Sequence, residues 1–330
     1  MRILLDTNIW RYLVDTGFEN KLFQVTRRSN VQICVAPSII IETLRMSDLR
    51  TRRKIIEVQT RECWSRLLPD SFLQCEDVKQ EMMRTHPEWE LKLKNINLYR
   101  KLRFDWVRTK GGFWEKVRSD SDAVEARYKR QDSAALTEVR EQLRDSRNAV
   151  RETGSVMVNT KSLRDWKGTK RNLMTGQTIE VDAWRIYAQV IWENMLSQET
   201  VLSQWLGCEL DIKFILTYHH LDLLEFWETV VRLESVPREW IRASVYGMQS
   251  ERKVTDGNPT DSAIATHAVD VDLIASADKN FVAMLNRIQD EAPFKTAHGV
   301  LIQAGSAGMD NLLQIVSSAS EFANSSNTRH

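Results

Sequence analysis

Four carboxylates stand at places where a chain can deliver them to one point. Asp6 closes the apolar run Ile3-Leu4-Leu5, and Asp278 follows the run Val271 to Ala275 through Ser276-Ala277. Asp261 opens the small-residue segment Asp261 to Ala268, and Glu42 lies one turn into the apolar segment that starts at Pro37-Ser38. In open α/β sheets ligands bind beyond the carboxyl ends of the strands, so acids from separate strand–helix units can converge there. Carboxylates held that close repel one another, and a divalent cation is the ordinary way to offset the repulsion. An oxygen-only donor set suits hard ions, Mg²⁺ or Mn²⁺.

The elements that must position these acids can be read from apolar patterning. Arg2 to Leu5 is a short strand, after which Ile9, Trp10, Leu13 and Val14 recur at helical spacing. Val31 to Ala36 is a second strand, and Pro37-Ser38 opens a helix through Arg45. Leu49 to Leu68 reads as a further helix, broken at Pro69-Asp70-Ser71. From about Gln74 to Trp240 the pattern predicts helix after helix and no strand, with one stripe at Leu136, Val139 and Leu143. Strand and helix then alternate again: Asn258-Pro259-Thr260 enters a helix over Asp261 to Ala268, Val271 to Ala275 is a strand and Phe281 to Ile288 a helix. A strand at Gly299 to Gln303 and a helix at Met309 to Val316 follow, with a fraying tail from Ser317 to His330.

The segments Leu4-Leu5-Asp6-Thr7-Asn8-Ile9, Ser38-Ile39-Ile40-Ile41-Glu42, Thr260-Asp261-Ser262-Ala263-Ile264-Ala265 and Leu273-Ile274-Ala275-Ser276-Ala277-Asp278 resemble, in that order, the four motifs of PIN-domain nucleases. The resemblance implies a PIN-like three-layer α/β/α sandwich with a central, mostly parallel sheet. Glu42 and Asp261 are 219 residues apart, so a large all-helical insertion of roughly 160 residues interrupts that frame. The expected organisation is 1–73 and 236–305 as the two parts of the PIN-like domain, 74–235 as the insertion, and 306–330 as a C-terminal helix and tail.

The resemblance further implies that Asp6, Glu42, Asp261 and Asp278 form the metal-binding and catalytic set, supported by Asn8 and Ser276. The activity implied is metal-assisted phosphodiester hydrolysis by an endoribonuclease, with Glu42 either a ligand or the base that activates water. A DNA or structure-specific nuclease with the same site is one alternative. A partner-binding module with a vestigial site is another. Whether the setting is a toxin, RNA processing or defence stays open.

The chain has 330 residues, 28% of them charged and 42% hydrophobic, enough for a sizeable core. Lys and Arg number 46 against 45 Asp and Glu, which excludes a global polycation. Between Glu90 and Thr175, however, 21 basic residues face 12 acidic ones. That block is either a solvated set of helix faces or an RNA-contacting surface, and Lys161, Arg164, Lys167, Lys170 and Arg171 are its loop-like phosphate-contact candidates. Most of the 11 Trp are expected in the core.

Two further clusters read as ordinary structure. His219 and His220 point in different directions on a helix, so with Asp222 they do not form a helical zinc pair. His267 reads as a satisfied or exposed histidine, Asp270 and Asp272 as surface or turn residues, with Asp272 a minor candidate for the site's rim. Cys34, Cys63, Cys75 and Cys208 match neither a metal knuckle nor a disulfide framework. With no run of about eighteen apolar residues, the expectation is a soluble cytoplasmic protein with no membrane partner. Self-association and an inhibitory protein partner are both open.

Overall fold

A computed structural model describes residues 1–108, 110–128, 162–171, 176–250 and 258–326. Its centre is a five-stranded sheet in the order β3-β2-β1-β6-β7, built from β1 (Arg2–Leu5), β2 (Gln32–Val35), β3 (Ser65–Arg66), β6 (Leu273–Ser276) and β7 (His298–Leu301). Every pairing is parallel, with Ile3 opposite both Ile33 and Leu273 and Leu5 opposite Ala275. Strands buried on both faces need continuous apolar runs, and Ile3, Leu4 and Leu5 are fully buried.

The chain moves outward from β1 in one direction through β2 to β3, and in the other through β6 to β7. The point where the order reverses therefore lies between β1 and β6. Right-handed crossovers place α1 (Thr7–Thr16) and α2 (Glu19–Ser29) on one face and α15 (Lys279–Glu291) on the other. The last helix, α16 (Ser306–Ser326), packs on α1 and α2, whereas α15 packs on β6, β7 and α13 (Pro237–Ser250). The molecule is thus an α/β sandwich, and the long stretch between β3 and β6 is a mainly helical insertion. Among the described residues no helix is long and apolar enough to cross a membrane.

The insertion is tied to the sandwich rather than appended to it. Its α5 (Asp70–Thr85) packs on α13 and on α14 (Asn258–Thr266), and α14 packs on α3 (Pro37–Leu44). A helix over residues 121–128, α8, is fastened to α4 (Leu49–Gln59) through Arg52, whose guanidinium reaches both Asp122 and Glu125 at 2.6 Å. Nine of the eleven Trp are buried, including Trp89, Trp114, Trp205 and Trp227 from the insertion, as their spacing predicts.

Four expectations are corrected. The helix expected through Leu68 ends at Gln59, and Ser65–Arg66 forms edge strand β3, held by the Leu67 amide donating to the Val35 carbonyl at 2.9 Å. The insertion is not all helical, because β4 (Lys167–Arg171) and β5 (Thr178–Asp182) form an antiparallel hairpin docked on α9 (Ala183–Ser197). Helix α16 runs to Ser326, because its Ser, Ala, Glu and Asn residues carry only small helix costs and its earlier turns pack on α1 and α2. Asp270 stands in a turn and Asp272 is exposed, as expected, but Asp272 lies away from the site's rim. Both precede β6 at the end of the sheet opposite Asp278: Asp272 accepts from the Arg2 amide at 2.9 Å, and Asp270 bridges Arg238 and His267. The stripe Leu136, Val139 and Leu143 lies outside the described residues.

Candidate metal centre

Asp6 follows directly on β1, and its own amide donates to Ala275 of β6 at 2.9 Å, which locks it at the reversal point of the sheet. It also caps α1: Oδ1 accepts from the Thr7 amide at 2.6 Å, as an N-cap carboxylate should. Its Oδ2 accepts from Ser276 Oγ at 2.5 Å and Asn8 Nδ2 at 2.8 Å. Asn8 Oδ1 in turn accepts from the Ala277 amide at 2.9 Å, and Ser276 Oγ accepts from the Asp278 amide at 3.0 Å. Asn8 and Ser276 thus stitch the end of β1 to the end of β6. Asp278 caps α15, its Oδ1 accepting from Asn280 at 2.7 Å and Phe281 at 3.1 Å.

Both strand-end acids are therefore helix caps, the ordinary occupation of Asp at such positions. Capping alone does not account for what surrounds them. Glu42, from α3, is drawn in by Thr7, whose hydroxyl donates to Oε2. Asp261 sits in the first turn of α14, which packs on α3. Burial, then the charges of Asp6, Glu42 and Asp278, push the Asp261 carboxyl up to about 8. Burial and then the Asp6 charge push Glu42 up to about 7, against the lowering effects of Thr7 and Arg45. Asp6 is raised chiefly by burial and further by Asp278, while Ser276, Thr7 and Asn8 pull the other way. Each of the four acids thus lies within electrostatic reach of others in the set.

That mutual repulsion is the reason the donor set fits a hard divalent cation: it holds four carboxylates, no His and no Cys, and a nearby positive charge would relieve the penalty each acid imposes on the others. Among the described residues no three His, Cys, Asp or Glu side chains converge as a ready ligand cage.

The basic candidates lie elsewhere. Arg164 donates to the Glu291 and Ala292 carbonyls at the far end of α15 from Asp278. Lys167 pairs with Asp182, Lys170 with Glu228, and Arg171 Nε donates to the Gly176 carbonyl at 3.2 Å. Lys161 lies outside the described residues. His267 is fully buried with Nδ1 2.9 Å from Asp270, and His219 pairs with Asp222 at 2.6 Å, so both are engaged in local pairs. Cys34, Cys75 and Cys208 are buried free thiols, and Cys63 is an exposed one.

Two residues that sequence reasoning passed over belong to the site's frame. Thr7 joins Asp6 to Glu42, and Arg45 reaches from the end of α3 to Thr260 Oγ1 at 3.4 Å, next to Asp261. Thr7 sits between two residues already singled out. Arg45 gives no local signal, because its partner is 215 residues away.

No family model, no curated protein and no solved structure matches this chain.

Proposed function

We propose that the protein is a divalent-metal-dependent nuclease that hydrolyses phosphodiester bonds in RNA. The observation that carries this reading is that Asp6, Glu42, Asp261 and Asp278 feel one another's charge at the reversal point of a parallel sheet, where burial and that repulsion push Asp261 up to about 8 and Glu42 up to about 7. The resemblance of the four motifs to those of PIN-domain nucleases supports it, as does a parallel sheet flanked by helices.

In this reading Asp6, Asp261 and Asp278 would hold one or two Mg²⁺ or Mn²⁺ ions. When bound, the ions supply Lewis acidity and charge neutralisation at the scissile phosphate, contributions worth several kcal/mol in such sites. The chain itself contributes order. Asp6 is fixed by three donors, Thr7 N, Asn8 Nδ2 and Ser276 Oγ, so its carboxylate needs no reorganisation to bind. Thr7 engages Glu42 at Oε2, which leaves Oε1 as the atom that takes a proton from the attacking water. An affinity near neutrality suits a base that must accept and release that proton at pH 7. Arg45, which lowers the Glu42 affinity through its positive charge, keeps the carboxylate partly ionised.

The test is metal-dependent cleavage of labelled single-stranded RNA by wild type, Asp6→Asn and Asp278→Asn. Loss in both variants with an intact fold supports the assignment. Full cleavage by Asp6→Asn removes it.

A further inference from the structure

The insertion and the sandwich enclose a cleft of about 660 Å³, lined by Ile41 and Thr260, the chain neighbours of Glu42 and Asp261, and within the range of about 300–1,000 Å³ for small-molecule pockets. One wall is the pair α3 and α14, through Ser38, Arg45 and Thr260, so the wall is made by the two helices that carry Glu42 and Asp261. The opposite wall belongs to the insertion: Lys101 and Trp106 from α6 (Ile96–Val107), and Arg127 and Tyr128 from α8. No element of the five-stranded sheet contributes to it.

The charge of this cleft is one-sided. Three cations line it: Arg45, Lys101 and Arg127. Its two acids are each engaged by a cation that does not line it, Asp105 by Arg108 at 2.7 Å and Asp70 by Arg242 at 3.1 Å. Lys101 and Arg127 are exposed, and neither forms an ion pair with another described residue. Aromatic surface lies between the cations. Trp106 is held between Phe72 (ring centroids 5.9 Å apart) and Phe113 (4.8 Å), so its ring is a fixed platform. Ser38 Oγ, on the α3 wall, is buried without a hydrogen-bond partner. Fixed aromatic rings interleaved with cations are how proteins hold unpaired nucleotides: the bases stack and the phosphates meet the charges.

We propose that this cleft receives an unpaired nucleotide of a single-stranded RNA, its base against Trp106 and Tyr128 and its flanking phosphates against Lys101, Arg127 and Arg45, so that the insertion selects which phosphodiester reaches the acids. The proposal rests on the nuclease reading for its substrate. It assigns to the insertion a direct role in positioning that substrate.

The experiment measures binding and cleavage separately. Binding of a fluorescent single-stranded RNA is followed by anisotropy in EDTA, and cleavage of the same strand is followed with Mn²⁺, for wild type, Lys101→Glu/Arg127→Glu, Tyr128→Ala and Tyr128→Phe. The double variant is expected to bind at least about tenfold more weakly, with a salt slope shallower by about 1.4, since each phosphate contact on a single strand contributes about 0.7. Tyr128→Ala is expected to lose about tenfold and Tyr128→Phe to retain wild-type affinity, a split that a merely structural hydroxyl would abolish, since both variants lack it. Circular dichroism verifies that each variant is folded. Cleaving wild type with double-variant affinity and salt slope unchanged overturns the cleft alone. Binding that depends on Lys101 and Arg127 without cleavage in any metal keeps the cleft and overturns the nuclease reading. A wild type that neither binds nor cleaves overturns both.

Discussion

Metal binding at the four-acid site should expel protons, and the structure sets how many. With Asp261 near 8 and Glu42 near 7, Asp261 is about nine-tenths protonated and Glu42 about half protonated at pH 7, so binding a cation to the ionised set releases between one and two protons. At pH 9 the release falls to about 0.1. The apparent association constant should therefore climb about 100-fold per pH unit below pH 6.5, about tenfold between pH 7 and 8, and level off above 8.5. Calorimetric titration of Mn²⁺ in two buffers of different ionisation enthalpy gives the proton count at each pH. The sign for the metal-free protein is the opposite of the usual carboxylate case. Both folded values lie above the ordinary ones, so the contribution of these two groups to stability is greatest below about pH 4. It falls as pH rises through the window from about 4 to 8, and a saturating divalent ion should restore more melting temperature at pH 8 than at pH 6. Metal binding at pH 7 with no proton release, or an affinity flat from pH 6 to 9, would refute the claim that these acids hold the ion.

Other perturbations follow from single contacts. Thr7→Val removes the donor to Glu42 Oε2, which raises the Glu42 affinity for a proton further; apparent metal affinity and cleavage at pH 7 should both fall, with partial recovery at pH 8.5. Arg52→Ala removes the buried guanidinium that ties α4 to α8, while Asp122 keeps Arg53 at 2.6 Å, and should lower the urea midpoint at unchanged slope. Gly247→Ala, on α13, places a Cβ 2.4 Å from the Trp166 ring. An overpacking cost of about 1–3 kcal/mol should appear as a lower urea midpoint at unchanged slope.

How far the sequence revealed this molecule depended on the distance over which each signal acts. Strands β1, β2 and β6 were legible because each is a short apolar run closed by a polar residue or proline: Asp6, Pro37, and Ser276 with Asp278. Strand β3 was not, since Ser65 and Arg66 carry no apolar pattern and are held by β2 alone. The β4–β5 hairpin escaped for a related reason. Lys167-Gly168-Thr169-Lys170-Arg171 has no buried face of its own, and it exists because Gly168 lets the strand approach Ile186 of α9. At the site, the types and order of the four acids pointed to one place, and Asn8 and Ser276 lie two residues from Asp6 and Asp278. Thr7 to Glu42 and Arg45 to Thr260 join segments 35 and 215 residues apart, and the cleft draws on six segments whose adjacency only the packing of the insertion creates.

The most direct test of the central claim is cleavage of labelled single-stranded RNA, single-stranded DNA and total tRNA by the full chain in Mg²⁺, Mn²⁺ or EDTA, with Asp6→Asn and Asp278→Asn alongside. The account predicts metal-dependent cuts in RNA that vanish in EDTA and in both folded variants. Cuts that persist in EDTA or in Asp6→Asn, or no cleavage of any substrate by protein shown to bind the metal, would contradict it.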